Sequence, residues 1–403
     1  MSTEQTTNSP RRAYVTLFIA VFATMLGMGI IAPLLSIYAD SLGASGLWIG
    51  IIFSAFALSR SVFMPFIGRI SDRRGRKNII LLGLLAYSAI SICYIFAGSV
   101  YSLTVVRLIH GAASAMVVPI AMAYIGELSE KGKEGSHMGN FSISLFLGLG
   151  VGPFMGGFLN DTLGFASVFW VMAALSIFSA LLILVLLPPF VGEGPTSVTA
   201  EGKSVSLRMA LKNPWMRGVA AFTFLSALCR GSLMVFVPLY GPTIGLSPSE
   251  VGIAISLNIF LMALLQFPCG QLTDRGNKLG LIVAGSALTA ISIALVPLSS
   301  TFMGLLAVSV LLGAGSALQQ PPIMALTVQA GKEIGMGVSM GAYNSFMSIG
   351  MIVTPLMGGY LLDLLGIDSI FYLSGIVTLV GTVVFFLLIR FWLRAETRPP
   401  SSA

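Results

Sequence analysis

The amino-acid sequence predicts an all-α membrane protein: twelve transmembrane helices in two pseudo-symmetric six-helix bundles, with both termini in the cytoplasm. Three observations predict it. The 403 residues are 56% hydrophobic and 9% charged, with a mean hydropathy of +0.94, whereas soluble domains carry roughly a quarter charged residues. Apolar runs of the ~20 residues needed to cross a bilayer recur from Ala13 to Arg390. An internal repeat relates the two halves of the chain.

The runs place helices near residues 13–38, 47–67, 78–98, 101–125, 138–162 and 165–188, then near 215–240, 249–272, 278–299, 302–327, 336–362 and 367–390. The first run is too long for the core of a signal peptide and is followed by further spans, so it reads as a retained first helix. Residues 1–12 form an N-terminal tail, 13–188 the first bundle, 189–214 a linker, 215–393 the second bundle and 394–403 a C-terminal tail. Gly192, Gly194, Pro195 and Gly202, mixed with polar residues, mark the linker as a cytoplasmic connection, with room for a short amphipathic helix around Val205 to Lys212.

Net charge is +7, and its placement decides what it means. Of the 22 Lys and Arg, Arg60, Arg107 and Arg230 fall inside spans; the others occupy the tails, the linker and alternate loops, and the opposite loops hold none. This is the positive-inside pattern. It sets both termini in the cytoplasm, calls for an even number of spans and explains the basic pI without a nucleic-acid partner; anionic lipid headgroups are the partner it fits. Cys93, Cys229 and Cys269 lie within apolar runs without ligand-like spacing, so neither a disulfide nor a metal site is expected.

Residue n matches residue n + 202 over a long stretch: Gly50 with Gly252, Gly68 with Gly270, Asp72 with Asp274, Gly111 with Gly313, Pro153 with Pro355, Asp161 with Asp363 and Phe169 with Phe371. One offset held without a gap across five spans is the signature of parallel repeats, an architecture used by a large class of transporters.

Gly68-Arg69-Ile70-Ser71-Asp72-Arg73-Arg74-Gly75-Arg76-Lys77 stands between the second and third spans. Its glycines permit a tight turn, and Asp72 can pair with an Arg or accept helix amides. The segment resembles motif A of the major facilitator superfamily, and a shortened second copy surrounds Asp274. Arg107-Leu108-Ile109-His110-Gly111 resembles that superfamily's motif B, with His110 where Gln is common. Gly148, Gly152 and Gly156 stack on one helix face beside Pro153 and Gly157. Small residues at that spacing allow close helix approach in lipid, and the segment resembles motif C of the twelve-helix drug:proton antiporter (DHA1) branch. The resemblance implies the superfamily fold, a cavity lined chiefly by helices 1, 4, 7 and 10, alternating access by rocking of the halves, export from the cytoplasm and a monomer. Motif A then reads as a gating and folding element, and motif C as a packing seam, rather than as substrate contacts.

An ionisable residue inside a span costs about 2.5 to 3.5 kcal/mol on insertion scales and marks a functional site by default. The candidates for substrate binding or coupling are Arg60, Arg107, His110 and Arg230, with Asn258, Gln319 and Asn344 as polar companions. His110 and Ser114 share the Arg107 face at i+3 and i+7, which points that face at the cavity, and an imidazole is a credible proton carrier. Gln266 and Gln320 are further possible Arg partners, while Phe18, Phe22, Met25, Met28, Phe224 and Met234 could line an adaptable apolar cavity. No Asp or Glu lies in the middle of any span. That departs from antiporters of cationic drugs and favours an anionic or zwitterionic, amphipathic substrate; Glu127, at the inner edge, reads as a salt-bridge partner.

The leading functional reading is a secondary active, proton-coupled exporter of small amphipathic compounds. It needs no cofactor beyond the proton gradient and sits in a bacterial inner membrane. The alternative is a carrier of organic anions, siderophores or lipid-like substrates that uses the arginines with other or no proton coupling. An enzyme is not expected: the two histidines, His110 and His137, join no Ser-His-acid or metal-ligand set, and Gly126 to Lys133 has the wrong spacing for a phosphate loop.

Overall fold

In a computed structural model, residues 4–129, 134–188 and 210–396 are described. Backbone amides and carbonyls find no water in a bilayer core, so a spanning segment must satisfy them along its own axis as helix. The described residues form α1 (Glu4–Ser41), α2 (Gly46–Arg74), α3 (Arg76–Ile95), α4 (Val100–Leu128), α5 (Glu134–Leu163), α6 (Phe165–Leu186), α7 (Pro214–Thr243), α8 (Pro248–Arg275), α9 (Lys278–Ala294), α10 (Phe302–Ile334), α11 (Met336–Leu365) and α12 (Ile367–Glu396). Most of the expected linker, including most of its short helix, lies outside the described residues, as do the ends of both tails.

Several helices outrun their apolar stretches: α1 begins at Glu4 rather than near 13, and α10 continues past 327 to Ile334. Hydropathy marks only the hydrocarbon layer, whereas i→i−4 bonding continues through the headgroups until a breaker intervenes. Among the described residues eleven helices are long and apolar enough to cross a membrane, against the twelve expected. The exception is α9, with 17 residues, roughly 26 Å at the usual helical rise. The expected span 278–299 finishes instead in a 3-10 turn at Val296–Leu298, where Pro297 supplies no amide and disfavours helix before it.

Helix boundaries follow the sequence repeat. α2 and α8 start at Gly46 and Pro248, α4 and α10 at Val100 and Phe302, and α6 and α12 at Phe165 and Ile367, each pair 202 residues apart. The N-caps repeat as well: Ser99 accepts from the Ser102 amide at 3.2 Å, and Thr301 from the Gly304 amide at 3.2 Å. Gly164 and Gly366 both take φ +79 and ψ 172 in the sharp turns before α6 and α12, a region open essentially to glycine alone.

The chain divides into two compact units. Unit 1 comprises residues 1–200 and 237–256, and unit 2 comprises residues 201–236 and 257–403. In unit 1, Leu26, Ile30, Leu34 and Val168 form a buried cluster where α1 meets α6. In unit 2 the core gathers Met216, Phe222, Ile323, Tyr343, Phe385 and Ile389. The outer faces stay apolar and exposed, as at Phe66, Phe158, Leu264 and Phe267, the arrangement that lipid as solvent requires.

Candidate functional site

One end of unit 1 is tied by motif A. Gly75, at φ +85, turns the chain between α2 and α3. Arg76, at the start of α3, pairs with Asp72 at 3.3 Å and makes a short ion pair with Glu127 near the end of α4. Lys77 Nζ donates to the carbonyls of Leu184 (2.9 Å) and Leu187 (2.6 Å), placing a cation on the free carbonyls at the C-terminus of α6. Glu127 is therefore the salt-bridge partner the sequence suggested, and Arg76 joins three helices. Arg73 and Asp274 lie at exposed positions of the α2 and α8 ends, and Gly68 is half-buried.

Motif C is a backbone seam. A Cβ at Gly148 would stand 2.7 Å from the Phe22 carbonyl, and one at Gly152 would stand 2.5 Å from the backbone of Gly29, both on α1; one at Gly156 would collide with the Ile30 carbonyl. Helix α5 thus lies on α1 with almost nothing between the two main chains, as small residues allow in lipid. Pro153 kinks α5, and the Phe154 amide donates to Ser256 Oγ at 3.1 Å. Gly157 faces the Pro248 carbonyl, and the Asp161 carboxylate accepts from the Ser249 amide at 2.9 Å. These contacts all lie within unit 1, which includes the turn from α7 to α8.

The charged face of α4 is enclosed inside unit 1. Arg107, His110 and Ser114 are 6%, 0% and 1% exposed, and they pack against α2 and α3. Gly111 makes this possible: its backbone meets the Phe56 carbonyl and Ser59, leaving no room for a Cβ. Arg107 lies 4.4 Å from the centre of the Phe56 ring and 5.3 Å from that of Phe53, and its Nε donates to the Ile52 carbonyl at 3.4 Å. A desolvated guanidinium over ring faces is stabilised by the ring quadrupoles. His110 Nδ1 is 2.9 Å from the Tyr94 hydroxyl, and its ring meets those of Tyr87 and Phe56 edge to face at 4.6 and 5.1 Å. Its buried Nε2 has no hydrogen-bond partner among the described residues. Arg60, on α2, is half-buried beside Gly111.

In unit 2 some polar residues tie helices together, and one of these, Gln319, also lines the cleft that holds Arg230. Gln319 accepts from Ser286 at 2.9 Å and donates to Thr289 at 3.3 Å, joining α10 to α9. Asn258 donates to the Ser309 carbonyl at 3.2 Å, joining α8 to α10, and Asn344 is exposed. Arg230 Nη2 donates to Gln320 Oε1 at 2.7 Å, and Gln320 Nε2 donates to the Tyr343 hydroxyl at 3.0 Å. Arg230, Gln320, Tyr343 and Thr223 line one cleft with Phe222 and Met347. Sequence reasoning named Gln320 only as a possible partner and missed Tyr343 and Thr223, which carry no charge to mark them. Among the described residues no group of three or more His, Cys, Asp or Glu is placed to hold a metal.

The family model of the Major Facilitator Superfamily matches residues 17–242 and 219–403. The chain is 32% identical to the uncharacterized MFS-type transporter MJ1560 of Methanocaldococcus jannaschii over 93% of its own length and 97% of that protein's. It is 27% identical to the multidrug resistance protein MdtG of Proteus mirabilis, over 98% of this chain and 99% of the other. Among solved structures, a bacterial homologue of the human lysosomal transporter Spinster, captured inward-facing and unoccupied, shares its fold with a TM-score of 0.78 at 16% identity, over 98% of this chain and 99% of that one. An all-helical chain with motif A at one end of its first unit, a glycine seam through it and family matches over nearly its whole length is a multi-pass membrane transporter, not an enzyme, and belongs to the Major Facilitator Superfamily.

Proposed function

We propose that this transporter is a proton-coupled exporter of small amphipathic compounds, working by alternating access in a bacterial inner membrane with both termini cytoplasmic. The observation that carries the reading is His110. It is an enclosed imidazole with one ring nitrogen held by Tyr94 and the other without a partner, one helical turn from the buried Arg107. Ionisable groups held inside spans mark substrate and proton pathways, and imidazole is the side chain that exchanges a proton near neutral pH. The multidrug name of the Proteus mirabilis relative supports efflux, and the backbone seam of motif C supports kinship with exporters.

The test uses purified protein in liposomes with a pH indicator inside. Under an imposed pH gradient, amphipathic compounds should provoke proton flux, and Arg107→Ala or His110→Gln should reduce it by at least tenfold. A second reading, a carrier of organic anions, siderophores or lipid-like compounds without proton coupling, rests on the absence of Asp and Glu from the middle of the spans. Substrate movement indifferent to the gradient would establish that reading and sink the first.

A further inference from the structure

Arg230 lies near the middle of α7 (Pro214–Thr243). Its guanidinium offers five N–H donors, and the structure gives it one hydrogen bond, to Gln320 Oε1 at 2.7 Å. Gln320 is committed on both sides: its oxygen faces Arg230 and its amide donates to Tyr343 at 3.0 Å. No Asp or Glu lines the cleft, and among the described residues the ion pairs of the chain are both made by Arg76. Among the described residues Arg230 thus has a neutral acceptor and no counter-charge.

A second group in the same cleft also lacks a partner. Thr223 is 6% exposed, and its Oγ1 makes no hydrogen bond among the described residues. It precedes Arg230 by seven residues, two helical turns, so both side chains lie on one face of α7. Phe222, Ile323 and Met347 complete the wall. The cavity between these side chains measures about 20 Å³ and opens at its mouth, room for a small polar group beside Arg230 and Thr223, with the apolar part of a ligand lying toward the mouth. A buried hydroxyl left unsatisfied, an under-used guanidinium and apolar walls are complementary to one chemistry.

We propose that this cleft of unit 2 seats the carboxylate of an amphipathic substrate, with Arg230 donating to its oxygens and Thr223 supplying a further hydrogen bond, while Phe222, Ile323 and Met347 receive the adjoining apolar part. Gln320 is a positioning residue: tethered to Tyr343, it holds the guanidinium toward the cleft. A planar guanidinium matches a carboxylate in a two-point fit that an ammonium cannot reproduce. This deepens the exporter reading and rests on it for the statement that the bound anion is cargo.

Equilibrium binding to the full-length protein in phosphatidylcholine nanodiscs, with no gradient, tests the site. The probes are naphthalene-1-acetate and its uncharged amide. The wild type should bind the carboxylate at least tenfold more tightly than the amide. Arg230→Gln should bind both equally, Arg230→Lys should keep part of the preference, and Thr223→Val should weaken the carboxylate several-fold while sparing the amide. Retained amide binding shows that each variant is folded. Equal binding of the two probes by the wild type, or a preference that survives in Arg230→Gln, overturns the proposal. So does loss of Arg230-dependent binding when phosphatidylglycerol replaces a tenth of the lipid, which would assign the seat to a lipid head group. Charge-selective binding without gradient-driven flux would instead leave this site standing and refute the coupled-export reading.

Discussion

At equivalent positions of the 202-residue repeat, unit 1 carries Arg60, Arg107 and His110 where unit 2 carries Met262, Ser309 and Leu312, while Arg230 of unit 2 answers to Met28 of unit 1. The scaffolds agree closely. Gly111 packs on the Phe56 carbonyl and Gly313 on the Asn258 carbonyl; Gly83 meets Met116 and Gly285 meets Leu318, each contact displaced by the same 202 residues. The chemistry built on that scaffold differs. Phe56, Tyr87 and Tyr94 enclose His110 in rings, whereas their counterparts Asn258 and Thr289 are spent on helix ties and Val296 is apolar. Unit 1 buries Arg107 and His110 among α2, α3 and α4, and unit 2 places Arg230 on a cleft. Backbone packing was held through the repeat while the ionisable groups were placed freely, so the two units share a scaffold and differ in the chemistry carried on it.

The largest expected effect tests the motif A tie, which among the described residues is made in unit 1. Arg76→Ala leaves Glu127 enclosed without its partner and should lower stability by about 3 to 5 kcal/mol, whereas Lys278→Ala, the equivalent change in unit 2, should stay within about 0.5 kcal/mol; thermal unfolding in detergent measures both, and equal losses would break the distinction. The next contrast concerns the seam. Unit 2 has Thr354 where unit 1 has Gly152, and Thr354 Oγ1 donates to Gly350 at 2.6 Å and Ala227 at 3.2 Å. Gly152→Thr puts a Cβ 2.5 Å from Gly29 main chain, and overpacking against backbone should cost about 3 kcal/mol. Gly68→Ala, which meets nothing within 4 Å, is the silent control in the same unfolding assay.

The functional division comes third. His110→Gln should reduce proton flux in liposomes by at least tenfold, about 1.4 kcal/mol of barrier, while preserving preference for naphthalene-1-acetate over its amide. A loss of both properties together would merge the two sites into one. The smallest effect probes what the units share: Gly164→Ala and Gly366→Ala should each cost about 1 kcal/mol, and they should cost the same, because both turns hold φ +79. A clear inequality between them would show that the repeat is one of sequence more than of backbone energetics.

Much of the fold was legible in the residues. The apolar runs located every described helix, and Pro297 explains why the ninth is shorter than expected. The site was legible where it is ionic. Arg107, His110 and Arg230 stand out because lipid makes charge conspicuous, and Glu127 showed itself as a partner by its place at the span edge. Thr223 and Tyr343 did not, since hydroxyls are ordinary in helices and only their neighbours reveal which one is left without a partner. Gln319 and Gln320 are adjacent and chemically identical, yet a step of about 100° around α10 turns one to α9 and the other to Arg230.

By itself the sequence determined that this chain crosses the membrane many times, that its halves descend from one pattern and that basic groups without acids lie in its spans. Those properties follow from transfer energies, which are local and sum along the chain. Tertiary structure alone decided that the Arg107 face is walled in by α2 and α3, that motif C is main chain against main chain, and that Arg230 opens on a cleft beside an unsatisfied hydroxyl. Whether a helix face meets rings, a neighbouring backbone or free space depends on packing between segments remote in sequence, and helical periodicity gives a direction without saying what stands there.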